Sequence, residues 1–390
     1  MTTADRKVPA YEPAVTRGIT GAVLGAGMVV MPPVVSAVAG ERDLLAWSVH
    51  VALGGSVSLV LCALVVRARL RPTTLAGVLG VVWGPWARRT QDLAMAVAFT
   101  AGQAAIAWFV ATSLLTAADG TLPSSDGDGL VIAWGILALA VLGALSPLRI
   151  PAVMIRWRPW IAGLLALSCA AAGWPAGANG AAGSPLAPSG LAPGGALWLA
   201  IAALFFAGVG WESVTELAPR AGATRGRSMA GTALGAAAVA VVLLGLAAVQ
   251  RSVVGVTSAP YGTPVPLRWA LAGATGVVLT SYCLTNVRTA AGIASRVAPG
   301  ACRAGDSTAP ARSLVGIVGV ACCGFAWLGD RDGGVPLLLL GPAAAVGFGY
   351  ALAAAGAVRY GGPVLRCSGA LLVLALVLLS VLAVPILHTA

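Results

Sequence analysis

Residues 21–33 read GAVLGAGMVVMPP and residues 204–220 read LFFAGVGWESVTELAPR, and the fold turns on what these two stretches share. Each lies in a long apolar run and interrupts it with closely spaced glycines: Gly21, Gly25 and Gly27 around Ala26 in the first, Gly208 and Gly210 in the second. Glycine gives the backbone little steric reason to stay helical, and Pro32 and Pro33 remove two further amide donors from the first stretch. Both are therefore expected to be broken helices.

The surrounding chain supplies the frame. Of 390 residues, 58% are hydrophobic and 9% charged, against roughly one-quarter charged in soluble domains. Nearly uncharged runs long enough to cross a hydrocarbon layer of about 30 Å as helices recur along the sequence. They number eleven: 15–39, 44–66, 92–117, 130–148, 159–174, 196–218, 229–250, 267–293, 313–329, 335–357 and 367–387. Their unbroken Ala, Leu, Val and Gly composition lacks the alternation of a membrane β-strand, so we read an all-α polytopic membrane protein whose backbone pairs within its own helices.

The net charge of +11 raises the question of a nucleic-acid partner. With the amino terminus on the cytoplasmic side, 20 of the 24 basic residues fall on inner loops and helix ends, and the outer side keeps Arg42, Arg251, Arg268 and Arg331 among several acids. This positive-inside bias orients a membrane protein and calls for no nucleic acid. It places the chain as a multi-pass protein of the cytoplasmic (inner) membrane, with the carboxyl terminus outside after eleven spans. The first span, with Arg17 before it and Ala37-Val38-Ala39 at its end, has a signal-peptide outline that Pro32 and Pro33 spoil, and we read it as retained.

Between the spans the organisation is simple. Residues 1–14 form a cytoplasmic tail. Residues 67–91 mix five arginines with Leu, Val and two Trp, and read as an amphipathic cytoplasmic connector that does not span. Residues 175–195, rich in Pro, Gly, Ala and Ser, read as an outer loop between a first repeat at 15–174 and a second at 196–357. A last helix fills 358–390. The two interrupted spans lie five apart, an odd offset that makes them run oppositely through the membrane. Matched breaks in two halves of opposite orientation point to inverted repeats, with a binding site at the breaks.

An unwound helix offers free N–H groups at one half-helix and free C=O groups at the other, which suits the carboxylate and ammonium groups of an amino acid. A side chain added at Gly27 or Gly210 is expected to block that close approach. The bland alternative is that these glycines only let helices pack closely.

The two motifs resemble the first and sixth helices of the amino acid-polyamine-organocation superfamily. LTSYCLTNVRTAAGIASRVAP, residues 279–299, is similar to the eighth helix of its bacterial methionine and branched-chain amino acid exporter branch. The resemblance implies a LeuT-type five-plus-five inverted repeat with helices 1 and 6 broken. It also implies that Gly25, Ala26 and Gly27 offer amides to a substrate carboxylate while Phe206, Ala207, Gly208, Val209 and Gly210 form the second half of the site. There Phe206, Ala207 and Val209 carbonyls would face the amino group and Phe206 would gate. Two features depart from the family: twelve spans are usual where we count eleven, and proton-coupled relatives with a lysine in the fifth helix have no match in a chain whose only lysine is Lys7.

Glu212 is the acid inside an otherwise apolar stretch, where an ionised carboxylate costs at least about 2.5 kcal/mol on insertion scales. It reads either as the group that binds a coupling proton or as an acceptor for the free N–H groups of span one. Glu216, four residues before Arg220, reads as an exposed ion pair. Asn286, Gln103 and Thr280 are candidates for lining a pathway or for joining helices. Trp47, Trp174, Trp198 and Trp269, near span ends, read as interface anchors.

No metal or cofactor motif is present: the cysteines form no C-x-x-C pair, and His50 and His388 stand apart. Without a G-x-x-x-x-G-K loop or paired intramembrane acids, an enzyme such as a lipid-modifying transferase is disfavoured, as is a non-transporting membrane sensor. The expectation is a secondary active transporter of a small neutral amino acid, with the proton as candidate coupling ion.

Overall fold

The computed structural model describes residues 10–71, 73–119, 127–146, 151–174, 193–207, 209–256, 263–297, 311–331 and 334–388. Among them the chain is helical with no strand. In order the helices are α1 (Pro13–Val23), α2 (Gly27–Ala39), α3 (Asp43–Arg67), α4 (Leu75–Trp83), α5 (Pro85–Asp119), α6 (Asp128–Leu145) and α7 (Ala152–Ala171). There follow α8 (Pro193–Ala207), α9 (Val214–Ala221), α10 (Arg225–Val256), α11 (Val265–Val297), α12 (Arg312–Gly329), α13 (Gly334–Tyr360) and α14 (Pro363–His388).

Every expected span coincides with a helix, and spans one and six each coincide with two. Eight segments among the described residues are long and apolar enough to cross a membrane. The short helix α8 carries another apolar segment, Gly194–Phe205. Helix α7 falls outside the eight; it begins seven residues before the expected span, and its first two turns carry Arg156 and Arg158 around the in-helix Pro159. Most of the outer loop expected at 175–195 lies outside the described residues, as does most of the amino-terminal tail.

Helix α5 is the hub. Its 35 residues make a rod of about 52 Å at 1.5 Å per residue, and it packs against α4, α6, α11, α12 and α13. Small side chains permit this: Ala101, Gly102, Ala104, Ala105, Ala107 and Ala111 are all buried, which lets neighbouring backbones approach closely. Its start is set by the turn before it. Gly84, at φ +97°, closes α4, and Pro85 opens α5 at the position where a missing amide costs nothing.

The connector at 67–91 holds α4, capped by the Thr74 side chain, which accepts from the Gly77 amide at 3.2 Å. Its apolar face, with Leu75, Val78, Leu79 and Val82 buried, meets α5 and α13 rather than lipid alone. Two of the expected interface tryptophans are also core residues: Trp47 is 1% exposed and Trp174 7% exposed. Trp198 is half-buried and donates to the Leu379 carbonyl at 3.1 Å, while Trp269 stays exposed. Position near a span end does not tell which side of the helix the indole occupies.

Candidate functional site

The first break falls at Leu24–Ala26. Helix α1 ends where the Leu24 amide donates to the Thr20 carbonyl at 3.0 Å and Leu24 itself turns extended. Helix α2 restarts with Met28 N–H donating to the Gly25 carbonyl at 3.1 Å and Val30 N–H to the Ala26 carbonyl at 3.1 Å. Gly25, Ala26 and Gly27 are half-buried and open this new helix, so their amides are the ones a helix leaves without an internal acceptor. Pro32 and Pro33, expected to contribute to the interruption, lie inside α2 and do not end it.

The second break follows α8. Val209 and Gly210 form a turn, Trp211–Ser213 a single 3-10 turn, and α9 resumes at Val214. Gly210 has φ +133°, a conformation open to glycine and strained for other residues. A Cβ there would lie 2.5 Å from the Ala22 carbonyl oxygen and 2.9 Å from the Val23 amide nitrogen. The two breaks are therefore in backbone contact. A side chain at Gly210 would therefore meet the end of α1, while the residue itself lines the cavity.

Glu212 folds back over its own break. Its Oε2 accepts from the Gly210 amide at 2.9 Å and from the Tyr350 hydroxyl of α13. Glu212 is thus an acceptor for the second break's own amide and for a tyrosine, where the sequence suggested the free N–H groups of span one. Behind the break, the Ser58 hydroxyl of α3 donates to the Trp211 carbonyl at 2.7 Å, and the Trp211 ring fills the space a side chain at Gly54 would need. His50, fully buried on α3, meets Phe205 edge-on at 5.2 Å and Trp211 at 6.3 Å. Phe205 in turn meets Tyr350 at 6.4 Å.

A cavity of about 1,260 Å³ reaches this region. Its inner wall includes Gly18 and Ala22 of α1 with Gly210, Glu212 and Ser213 of the second break. Leu75 and Ala76 of α4, Met95 and Phe99 of α5, and Val315 of α12 supply apolar surface. Exposed Arg296 and Arg312 stand at its rim, so it opens at the arginine-bearing end of the bundle. Gly25, Ala26 and Gly27 lie beyond the residues that line it.

Charge on the wall is mostly paired. Asp92, 4% exposed, meets Arg296 at 3.0 Å and Arg88 at 3.9 Å. Glu216 meets Arg220 at 3.1 Å, as its spacing suggested. Arg288 donates to the carbonyls of Gly143, Ala144 and Ser146, closing the end of α6.

Gly208 lies outside the described residues, and for Phe206 and Ala207 only the backbone, as the end of α8, is described. Val209 is half-buried. Asn286 donates to Gln103 at 3.3 Å across α11 and α5, Gln103 donates to the Phe99 carbonyl at 2.7 Å, and Thr280 is half-buried in α11; none of the three lines the cavity. On the far side of the first break, the Arg158 guanidinium of α7 lies 3.9 Å over the Tyr282 ring. It also donates to the Ser281 carbonyl and the Thr285 hydroxyl. The sequence offers no signal for the roles of Tyr350 and Arg158, and it marks His50 only as a histidine without a metal partner. Each is a polar residue in or beside an apolar run, a signal that marks interest but names no partner.

No protein-family model matches the chain, and no curated protein matches it in sequence. Solved structures do. The chain is similar to MhsT, solved in complex with L-phenylalanine, at a TM-score of 0.57 and 14% identity, over 99% of this chain and 100% of that one. It is also similar to the manganese transporter of Eremococcus coleocola. The H236A mutant matches at a TM-score of 0.55, and the complex with an aromatic bis-isothiourea substituted compound at 0.56. Both are 13% identical and cover 94% of this chain and 85% of that one. These are LeuT-fold proteins, and the chain has that fold: two inverted five-helix repeats with helices 1 and 6 broken.

Proposed function

We propose that the protein is a secondary active transporter that moves a small neutral amino acid across the cytoplasmic membrane by alternating access. The observation that carries this reading is the cavity that runs from one end of the bundle to the contact between the two breaks. Irregular backbone at membrane depth is tolerated where it lines a cavity or is buried in protein, and here it does both. With the positive-inside orientation, the open end faces the cytoplasm, so this conformation is inward-facing.

The cargo follows from what the breaks expose. The amides that open α2, beyond the cavity wall, suit a carboxylate, the end of α8 offers carbonyls to an ammonium group, and Leu75, Met95 and Phe99 on the wall suit an apolar side chain. MhsT, which shares the fold, is known with an amino acid bound. Glu212, on the cavity wall, is the candidate carrier of a coupling proton.

The test is a thermal-shift screen of detergent-purified protein against the common amino acids and Mn²⁺, followed by exchange of the stabilising compound in liposomes. Stabilisation by neutral amino acids with measurable exchange supports the reading. Stabilisation by Mn²⁺ alone, or binding without exchange, overturns it.

A further inference from the structure

We propose that Glu212 presents to the cavity one oxygen, Oε1, to which no other described residue donates, and that it holds either a proton or the ammonium group of the substrate but not both, so that substrate binding expels a proton. This deepens the reading of the two breaks as an amino acid site and rests on it.

The first support is geometric. The two donors that other residues bring to this carboxylate, the Gly210 amide and the Tyr350 hydroxyl, both fall on Oε2, and the main-chain amide of Glu212 itself is a further donor to the group. An oxygen with about two lone-pair sites is filled by two donors. No other described residue donates to Oε1, and Glu212 lines the cavity. Tyr350, 1% exposed and packed against Phe205, is a positioning residue: it fixes which oxygen is spent and which is left.

The second support is an account of charge. Three acids line the cavity. Asp92 has Arg296 from α11 and Arg88 from its own helix, and Glu216 has Arg220. Glu212 has no cationic partner among the described residues. Of the other charged groups on the cavity, Arg288 is spent on the carbonyls of α6, Arg312 stands at the rim, and Glu216 acts on Glu212 as a like charge. Helix α8 carries no charged side chain, α3 contributes the buried His50 behind Trp211, and α13 contributes Tyr350. A carboxylate in this setting needs a cation that the protein does not supply, and a proton or an alkylammonium group can each provide one.

The exchange balances. The protonated carboxyl plus R–NH₃⁺ gives the carboxylate paired with R–NH₃⁺ and one proton released to the cavity. A carrier working this way trades one proton for one substrate, an antiport in which an inward proton gradient drives cargo out.

Three probes test it on the wild-type protein: L-leucine, 3-methylbutan-1-amine (leucine without its carboxylate) and 4-methylpentanoate (leucine without its ammonium). Proton release is counted by titration calorimetry in buffers of different ionisation enthalpy between about pH 5 and 9. On the acid limb, L-leucine and the amine should each release about one proton, with affinity falling about tenfold per pH unit; 4-methylpentanoate should release none. Glu212→Gln should bind L-leucine without release and without pH dependence. Tyr350→Phe keeps the ring but loses the donor, and should weaken both ammonium probes roughly tenfold while the proton count stays at about one. L-leucine binding with no release at any pH, or release on binding 4-methylpentanoate, overturns this inference and leaves the amino acid reading standing. If no amino acid binds across the range, both fall together.

Discussion

Gly210 and Ala22 meet backbone to backbone, with no side chain between the turn after α8 and the last turn of α1. The contact makes one site of two breaks that lie almost two hundred residues apart in sequence. It also sets the first expected outcome. Gly210→Ala places a methyl group against the Ala22 carbonyl at a φ that alanine resists, and should cost on the order of 2 kcal/mol. A thermal melt of the detergent-purified variant checks this; wild-type stability would mean the breaks do not touch.

Glu212→Gln keeps a carbonyl acceptor for the Gly210 amide and the Tyr350 hydroxyl, so the variant should fold and bind. Gradient-driven transport should be lost while substrate-for-substrate exchange survives. Glu212→Leu strands both donors, at about 1–3 kcal/mol each, and should fail to yield stable protein. Liposome assays with and without a pH gradient separate the two variants. Full pH-driven accumulation by the Gln form would remove the proton role.

Arg288 closes α6 by donating to three carbonyls from a planar fork. A lysine ammonium cannot reproduce that geometry. Arg288→Lys and Arg288→Leu should both lower stability, by about 2–4 kcal/mol for the leucine form. Restoration of wild-type melting by lysine would show that charge alone suffices.

With eleven spans and the basic loops inside, the amino terminus is expected in the cytoplasm and the carboxyl terminus outside. Reporter fusions before Met1 and after Ala390 give the answer directly. A cytoplasmic signal from both would require an even number of crossings and would put α7, with its two early arginines, first in question.

The helices and the existence of both breaks were legible because apolar runs and clustered glycines are local signals. The exact joint at Leu24–Ala26 was blurred by Pro32 and Pro33, which a helix tolerates once its neighbours cover the freed carbonyls. The partners of Glu212 divide the same way. Gly210 is two residues away, whereas Tyr350 is 138 residues on in α13, and no spacing rule reaches that far. Trp47 and His50 show a further limit: α3 is apolar all round, so nothing in its pattern tells core from lipid face, and both proved buried.

Helix α1 is also moored at its far end, where the Glu12 amide donates to the Arg227 carbonyl at 3.2 Å and the Thr16 hydroxyl to the Gly231 carbonyl at 2.9 Å. Its 11 residues form a lever of about 16 Å. A swing of about 10° at the Leu24–Ala26 joint would carry the far tip by roughly 3 Å, the length of one hydrogen bond. A stroke of that size has two outcomes: either these moorings part and α10 stays in place, or they hold and the first turns of α10 ride with the lever. Where the moorings hold, the joint between two short half-helices moves the start of a 32-residue rod, and a spin label on α10 near Arg227 would register the opening and closing of a cavity it does not line.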